Sequence, residues 1–280
     1  MAAKGISLHL GLNAVSPQHY GGWPGTLAAC EADAQDMADI AKQKNFSSTL
    51  LLTQKATRKQ VIAGLDQAAK DLATGDIFFL TYSGHGGQLP DKNGDEPDGQ
   101  DETWCLYDGQ LVDDELYAKW AKFKPGVRIF VLSDSCHSGS VVKLAFYQGT
   151  VLAGGGSPTE PNEVRYRVMP PEVALRTYKN NRAMYDPILE DPALATAKGQ
   201  IKASVLLISG CQDNQLSADG TFNGLFTGKL LSVWNHAQFK GDYQSFHKEI
   251  VKSMPPNQTP NLFLTGVNNP VFLKQQPFTV

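Results

Sequence analysis

Two rhythms of apolar and polar positions alternate along this chain. Short apolar runs occur at 6–12 (ISLHLGL), 48–52 (STLLL), 76–83 (DIFFLTYS), 127–134 (VRIFVLSD), 204–209 (SVLLIS) and 261–266 (NLFLTG). Most are apolar at consecutive positions, so the strands they predict are covered on both faces. Between them, apolar residues recur at helical spacing over 27–44, 57–73, 113–122, 222–236 and 242–253. Thr53 and Thr57 stand before the second of these as candidate caps. Strand alternating with helix predicts an α/β fold with a mostly parallel central sheet flanked by helices on both faces.

The stretch 143–200 breaks the rhythm. It contains AGGGSPTEP at 153–161, scattered prolines and no sustained period. So long a loop in a compact domain is usually functional or disordered. Neither flank holds a complete sheet, so the expectation is one domain over 1–280 with an interrupting segment.

Composition narrows the function classes. At 41% hydrophobic and 19% charged the chain has the make-up of an ordinary globular protein. A net charge of −3 gives no electrostatic footprint for nucleic acid. No run approaches the roughly 18–20 apolar residues of a membrane span. The N-terminal MAAKGISLHLGLN has one lysine and too short an apolar stretch for a secretory signal. Cys30, Cys105, Cys136 and Cys211 lie far apart with no CxxC or zinc spacing, which suits reduced thiols and a cytoplasmic location.

Net charge conceals a local imbalance. Residues 91–114 hold nine acids against one lysine, and 165–182 hold five bases (Arg165, Arg167, Arg176, Lys179, Arg182) against Glu172. Most such runs are solvated loops. These two flank the segment where the chemistry concentrates.

Two of the predicted strands run into polar, glycine-bearing sequence, FFLTYSGHGG (78–87) and FVLSDSCHSG (130–139). Sites in open parallel sheets form at the carboxyl ends of strands, so both segments open on one edge and converge if the strands are neighbours. Cys136 and His137 are adjacent, and adjacent residues on extended backbone point to opposite sides. His85, on the other strand end and 51 residues before Cys136, is the better base for the thiol.

YSGHGG together with DSCHSG resembles the caspase-like cysteine peptidases, and within them the metacaspases, including the bacterial orthocaspases. The mammalian caspase pattern around the cysteine is absent. LAACEADAQDM (27–37) is similar to a helix start of that family, and ISGCQDNQLSADG (208–220) is similar to its small-subunit motif. The resemblance covers roughly 5–265. It implies a caspase-like fold with a large-subunit-like part (1–142), a linker or processing segment (143–200) and a small-subunit-like part (201–280). It implies a cysteine endopeptidase in which Cys136 attacks as thiolate and His85 protonates the leaving amine. The backbone N–H groups of Gly86 and Cys136 would form the oxyanion hole, with Gly84, Gly86 and Gly87 allowing close backbone approach.

The same resemblance implies an acidic pocket for the residue before the cut, at Asp33 and Asp134 with Ser83 beside them. Two carboxylates suit Arg or Lys, so the expected partners are protein or peptide substrates with Arg or Lys before the cut. The basic run 165–182 then becomes a candidate self-cleavage region. A monomer is expected, with no nucleic-acid or membrane partner.

Calcium is used by many relatives of this kind, and DGQDETWC and LVDDELY resemble their metal-binding region. Asp101, Asp113 and Asp114 match three ligand positions, but Lys143 stands where a fourth carboxylate is expected. A lysine offers no oxygen lone pair, so no metal is assigned and no cofactor is expected to be required. Asp91, Asn93, Asp95 and Glu102 fall at EF-hand spacing by coincidence of composition, because Glu96 occupies the turn position that needs glycine. Competing readings are legumain-like or separase-like specificity, and a non-catalytic caspase-like module for interaction or calcium sensing. A metal site of His85, Cys136 and His137 lacks a fourth ligand and ranks last.

Overall fold

The structure, a computed structural model, describes residues 2–94, 96, 98–135, 165–211 and 216–280. Cys136, His137 and Lys143 lie outside the described residues, as does most of the glycine-rich part of 143–200.

The six apolar runs all form strands, and together they make one sheet. β1 (Gly5–Gly11), β2 (Phe46–Leu52), β3 (Ile77–Ser83), β7 (Arg128–Asp134), β8 (Ser204–Ser209) and β9 (Asn261–Gly266) lie in the order β2-β1-β3-β7-β8-β9. All pairings are parallel except β8 with β9. Every residue of β3 and β7 is buried, as expected of the two central strands in a sheet covered on both faces. On β3, Phe78 and Leu80 point into one core with Leu8, Leu10 and Val131, while Ile77 and Phe79 point into the other with Phe130 and Leu206. Burial of a phenylalanine such as Phe79 stabilises the fold by about 1.5–3 kcal/mol.

Helices cover each face. α1 (Cys30–Gln43), α7 (Leu225–Trp234) and α8 (Tyr243–Ser253) supply Met37, Phe226, Leu230 and Phe246 to one core. α2 (Arg58–Asp71) and α3 (Asp113–Trp120) supply Val61, Leu65, Leu116 and Trp120 to the other. Thr57 caps α2 by accepting from the Gln60 N–H, a contact worth about 1 kcal/mol, whereas Thr53 caps no helix with its side chain.

The apolar pattern did not announce two features. A second, antiparallel sheet of β4 (Gly86–Pro90), β5 (Gln100–Leu106) and β6 (Gly109–Val112) stands beyond the end of β3. Its strands are short and rich in glycine and polar residues, so they carry little periodicity. Residues 165–200, the described part of the irregular stretch, hold α4 (Pro171–Asn180), α5 (Arg182–Leu189) and α6 (Pro192–Ala195). Pro171 and Pro192 open helices instead of breaking them, because the first helical N–H has no partner to lose.

Candidate active site

β3 and β7 pair in parallel with Ser83 opposite Asp134, so their polar ends emerge side by side. His85 lies two residues past the end of β3 and immediately before β4, and Ser135 follows β7 directly. Cys136 itself lies outside the described residues.

The His85 ring is buried and held on two sides. Its Nε2 donates to the Gly25 carbonyl at 3.0 Å, which leaves Nδ1 as the nitrogen available for proton transfer. That nitrogen is buried and has no hydrogen-bond partner among the described residues. Trp23 packs against the ring at 4.7 Å between centroids. Gly25 has φ +52°, and a Cβ there would come within 3.0 Å of Trp23 and 3.1 Å of His85, so glycine suits this corner. The Tyr82 hydroxyl donates to the carbonyls of His85 and Cys105 at 2.7 and 3.1 Å, which pins the loop to the antiparallel sheet. Burial pushes the His85 pKa down to about 4, against the Gly25 carbonyl, which favours the charged form. The imidazole is therefore neutral at pH 7.

Asp33, Ser83 and Asp134 converge on one buried point. Read alone, Asp33 on a helix is an ordinary solvated carboxylate; in the fold it is 1% exposed. A third carboxylate, Asp219, completes the cluster. Between them sits the guanidinium of Arg167, with no solvent exposure. One terminal nitrogen meets Asp33 at 2.7 Å and Asp219 at 2.9 Å, and the other meets Asp134 at 2.8 Å and the Ser83 hydroxyl at 2.8 Å.

The carboxylates are themselves anchored. Asp134 accepts from the Ser217 hydroxyl at 2.6 Å and the Thr227 hydroxyl at 2.8 Å. Asp33 accepts from the Gly224 N–H and the Asn223 side-chain amide, each at 3.0 Å. A Cβ at Gly224 would lie 2.5 Å from the Arg167 guanidinium, so close approach of the chain depends on that glycine. Burial opposes the charge on Arg167, yet Asp134, Cys30, Asp33 and Asp219 outweigh it and hold its pKa well above the usual value. Burial raises the Asp33 pKa, with Arg167 acting in the opposite sense.

Sequence reading missed Asp219, Ser217, Asn223, Thr227 and Gly25. Asp219 and Ser217 belong to the SADG run already quoted for its resemblance, so a signal existed. Gly25 contributes only a backbone carbonyl, which no residue type can signal.

The acidic run 91–114 gathers differently. Glu96, Glu102 and Asp113 each place a carboxylate oxygen within 4.8 Å of the others. Asp113 Oδ1 is buried with no partner among the described residues. Burial, then Glu102, Asp114, Asp101 and Glu96, drive its pKa well above the carboxylate range. Hard oxygen donors so grouped fit a cation such as calcium, and Glu96, Glu102 and Asp113 would hold it. Of the three ligands implied by resemblance, this group includes Asp113 but not Asp101 or Asp114. Of the residues at EF-hand spacing, Asp95 lies outside the described residues, and Asp91 accepts from the backbone N–H groups of Asn93, Gly94 and Glu96.

The family described as the caspase domain matches residues 14–277. The chain belongs to the caspase-domain family. It is similar to metacaspase-1 of Schizosaccharomyces pombe, at 32% identity over 259 residues, covering 81% of this chain and 58% of that protein. Metacaspase-1 of Coccidioides immitis is 30% identical over 277 residues, covering 87% of this chain and 56% of that protein. The chain thus spans under two thirds of the length of these curated relatives. A crystal structure of a protein from Geobacter sulfurreducens is 58% identical, with a TM-score of 0.86 over 99% of both chains. Caspase-1 of Spodoptera frugiperda, at 10% identity and a TM-score of 0.50 over 94% of this chain and 86% of that one, shares the fold. The caspase domain of this chain is thus similar to metacaspases over most of its length. No helix among the described residues is long and apolar enough to cross a membrane.

Proposed function

We propose that this chain is a cysteine endopeptidase that cuts peptide bonds after Arg or Lys with a His85–Cys136 dyad. The observation that carries the specificity is the buried Arg167 guanidinium on Asp33, Asp134 and Asp219. A site that holds one guanidinium this way accommodates another from a substrate. Arg is expected to be preferred to Lys, because two nitrogens share the four acceptors here and an ammonium is a single point.

The Cys136 sulfur attacks the scissile carbonyl carbon. The Gly86 N–H, with that of Cys136, stabilises the oxyanion, and such a donor contributes roughly 10²–10³ in rate. His85, neutral at rest with Nδ1 available, takes the thiol proton and delivers it to the leaving amine. Hydrolysis of the thioester by water returns the enzyme. Self-processing within 165–182 follows from the same specificity.

Calcium is proposed to be dispensable for this chemistry. Lys143 replaces an expected ligand. The enzyme is proposed to act as a cytoplasmic monomer.

The test is hydrolysis of matched peptides ending in Arg, Lys, Asn or Asp, with EDTA or added calcium, beside Cys136→Ala. Cleavage after Arg and Lys, unchanged by EDTA and lost in the variant, is expected. Cleavage after Asn or Asp would overturn the pocket assignment and point to the legumain-like or caspase-like alternative. No cleavage under any condition, with Cys136 unreactive to alkylating probes, would favour the non-catalytic module.

A further inference from the structure

We infer that the bond this chain cuts in itself is Arg167–Val168, and that residues 165–169 lie in the substrate groove as a tethered substrate. The inference rests on the reading of the site as an Arg-directed cysteine peptidase. It selects one of five basic residues and defines the chain on both sides of the bond.

The side chains alone discriminate. Arg165, Arg176, Lys179 and Arg182 are exposed, whereas Arg167 is fully buried in the acidic pocket. Arg176 and Lys179 lie inside α4, and Arg182 begins α5. A helical backbone has its carbonyls committed to its own turns and cannot be laid out as an added strand.

Arg167 lies at a bend, and the backbone on either side of it is paired as an added strand would be. Arg165 accepts from the Asp219 N–H at 2.8 Å, and the Arg167 N–H donates to the Ser217 carbonyl at 3.0 Å. Tyr166 and Ala218 form the antiparallel bridge between these bonds. The Arg167 carbonyl accepts from the Gly86 N–H at 3.0 Å, the donor proposed for the oxyanion. Beyond the bond, the Met169 N–H donates to the Gly86 carbonyl at 2.8 Å, and Met169 is buried with Val15, Tyr20, Cys105 and Val173. Thus the carbonyl to be attacked and its oxyanion donor meet at one peptide bond.

The step balances without a further reagent. The Cys136 sulfur forms a bond to the Arg167 carbonyl carbon, and the bond from that carbon to the Val168 nitrogen breaks. The Val168 nitrogen takes a proton from His85. Water then adds its hydroxyl to the Arg167 carbonyl, releases the thiol and leaves a carboxylate at residue 167.

Purified wild-type protein, Cys136→Ala, Arg167→Lys and Val168→Pro are incubated and followed by intact-mass spectrometry and N-terminal sequencing. A synthetic peptide of residues 162–172 is offered separately to the wild-type enzyme, so that no result depends on a variant folding. Wild type is expected to yield fragments 1–167 and 168–280, the second beginning Val-Met-Pro. Cys136→Ala stays whole, Val168→Pro is cut at least tenfold more slowly, Arg167→Lys is cut at the same bond, and the peptide is split between Arg and Val. A cut after Arg165, Arg176, Lys179 or Arg182 with none after Arg167 would overturn the inference and leave the specificity standing. So would an intact chain, or an intact 162–172 peptide, from an enzyme that hydrolyses other Arg peptides. Failure to cleave any peptide or the chain itself would overturn the inference together with the reading on which it rests.

Discussion

Two acidic clusters in this molecule have met opposite fates. Asp33, Asp134 and Asp219 close around Arg167, and hydroxyls and N–H groups from Ser217, Thr227, Asn223 and Gly224 satisfy the oxygens that remain. Glu96, Glu102 and Asp113 bring their carboxylate oxygens within 4.8 Å of one another, and burial with the neighbouring acids makes Asp113 hold its proton more tightly. Collected carboxylates need either a cation or protonation. In the first cluster Arg167 supplies the cation; in the second, protonation of Asp113 is favoured. The first holds a guanidinium, and the second has oxygen donors suited to a hard ion.

The largest expected effect falls on the compensated cluster. Asp134→Asn is expected to reduce kcat/KM on Arg peptides about 100-fold, since losing one member of a buried charge pair costs roughly 3 kcal/mol. Steady-state kinetics on Arg and Asn peptides check it. Equal loss on both would mean that Asp134 does not select for charge.

If the chain's own arginine fills the pocket, an uncut enzyme competes with itself. Val168→Pro, which keeps Arg167 in place, should show a KM for added Arg peptides about tenfold above that of the processed wild type, by the effective-concentration argument for a tethered ligand. An unchanged KM would show that the segment leaves the groove without cleavage.

Acid should separate the regions next. His85 and His9 are buried, and burial pushes their pKa values down to about 4 and about 3, from 6.5. The unfolded chain therefore binds these protons first, so stability falls as pH drops from about 6.5 towards 4. A loss of a few kcal/mol between pH 7 and pH 5 is expected from urea unfolding, and His9→Gln should flatten it. Asp113 has the opposite sign. Its raised pKa means the folded form binds the proton more tightly, so its contribution grows as pH falls.

The smallest effect belongs to the second cluster. Asp113→Asn mimics the protonated carboxyl that burial favours and should shift Tm at pH 7 by no more than about 2 °C, in keeping with at most roughly 1 kcal/mol in a chain of this size. Added calcium should raise the wild-type Tm and leave that of the variant nearly unchanged. Calorimetry with and without the ion decides both.

What the sequence determined by itself follows from short-range regularities. Apolar runs of strand length specified β1, β2, β3, β7, β8 and β9, most plainly in the central β3 and β7, where burial on both faces leaves almost no polar position to interrupt them. The glycine-flanked histidine and the cysteine segment after β7 marked the chemistry, because parallel strands open on one edge. Asp33 and Asp134 were legible through resemblance, but their charge state was not.

Tertiary structure decided the rest. Asp219 reaches the pocket from 85 residues beyond Asp134, and no local spacing encodes that contact. The Gly25 carbonyl, which orients His85, is a group every residue possesses. Arg167 looked like one of five equivalent bases in a solvated run, and only the fold buries it and leaves the others in water. Periodicity reports which faces are apolar; it does not report which charges meet, because desolvation and pairing are set by the chain segments that close over them.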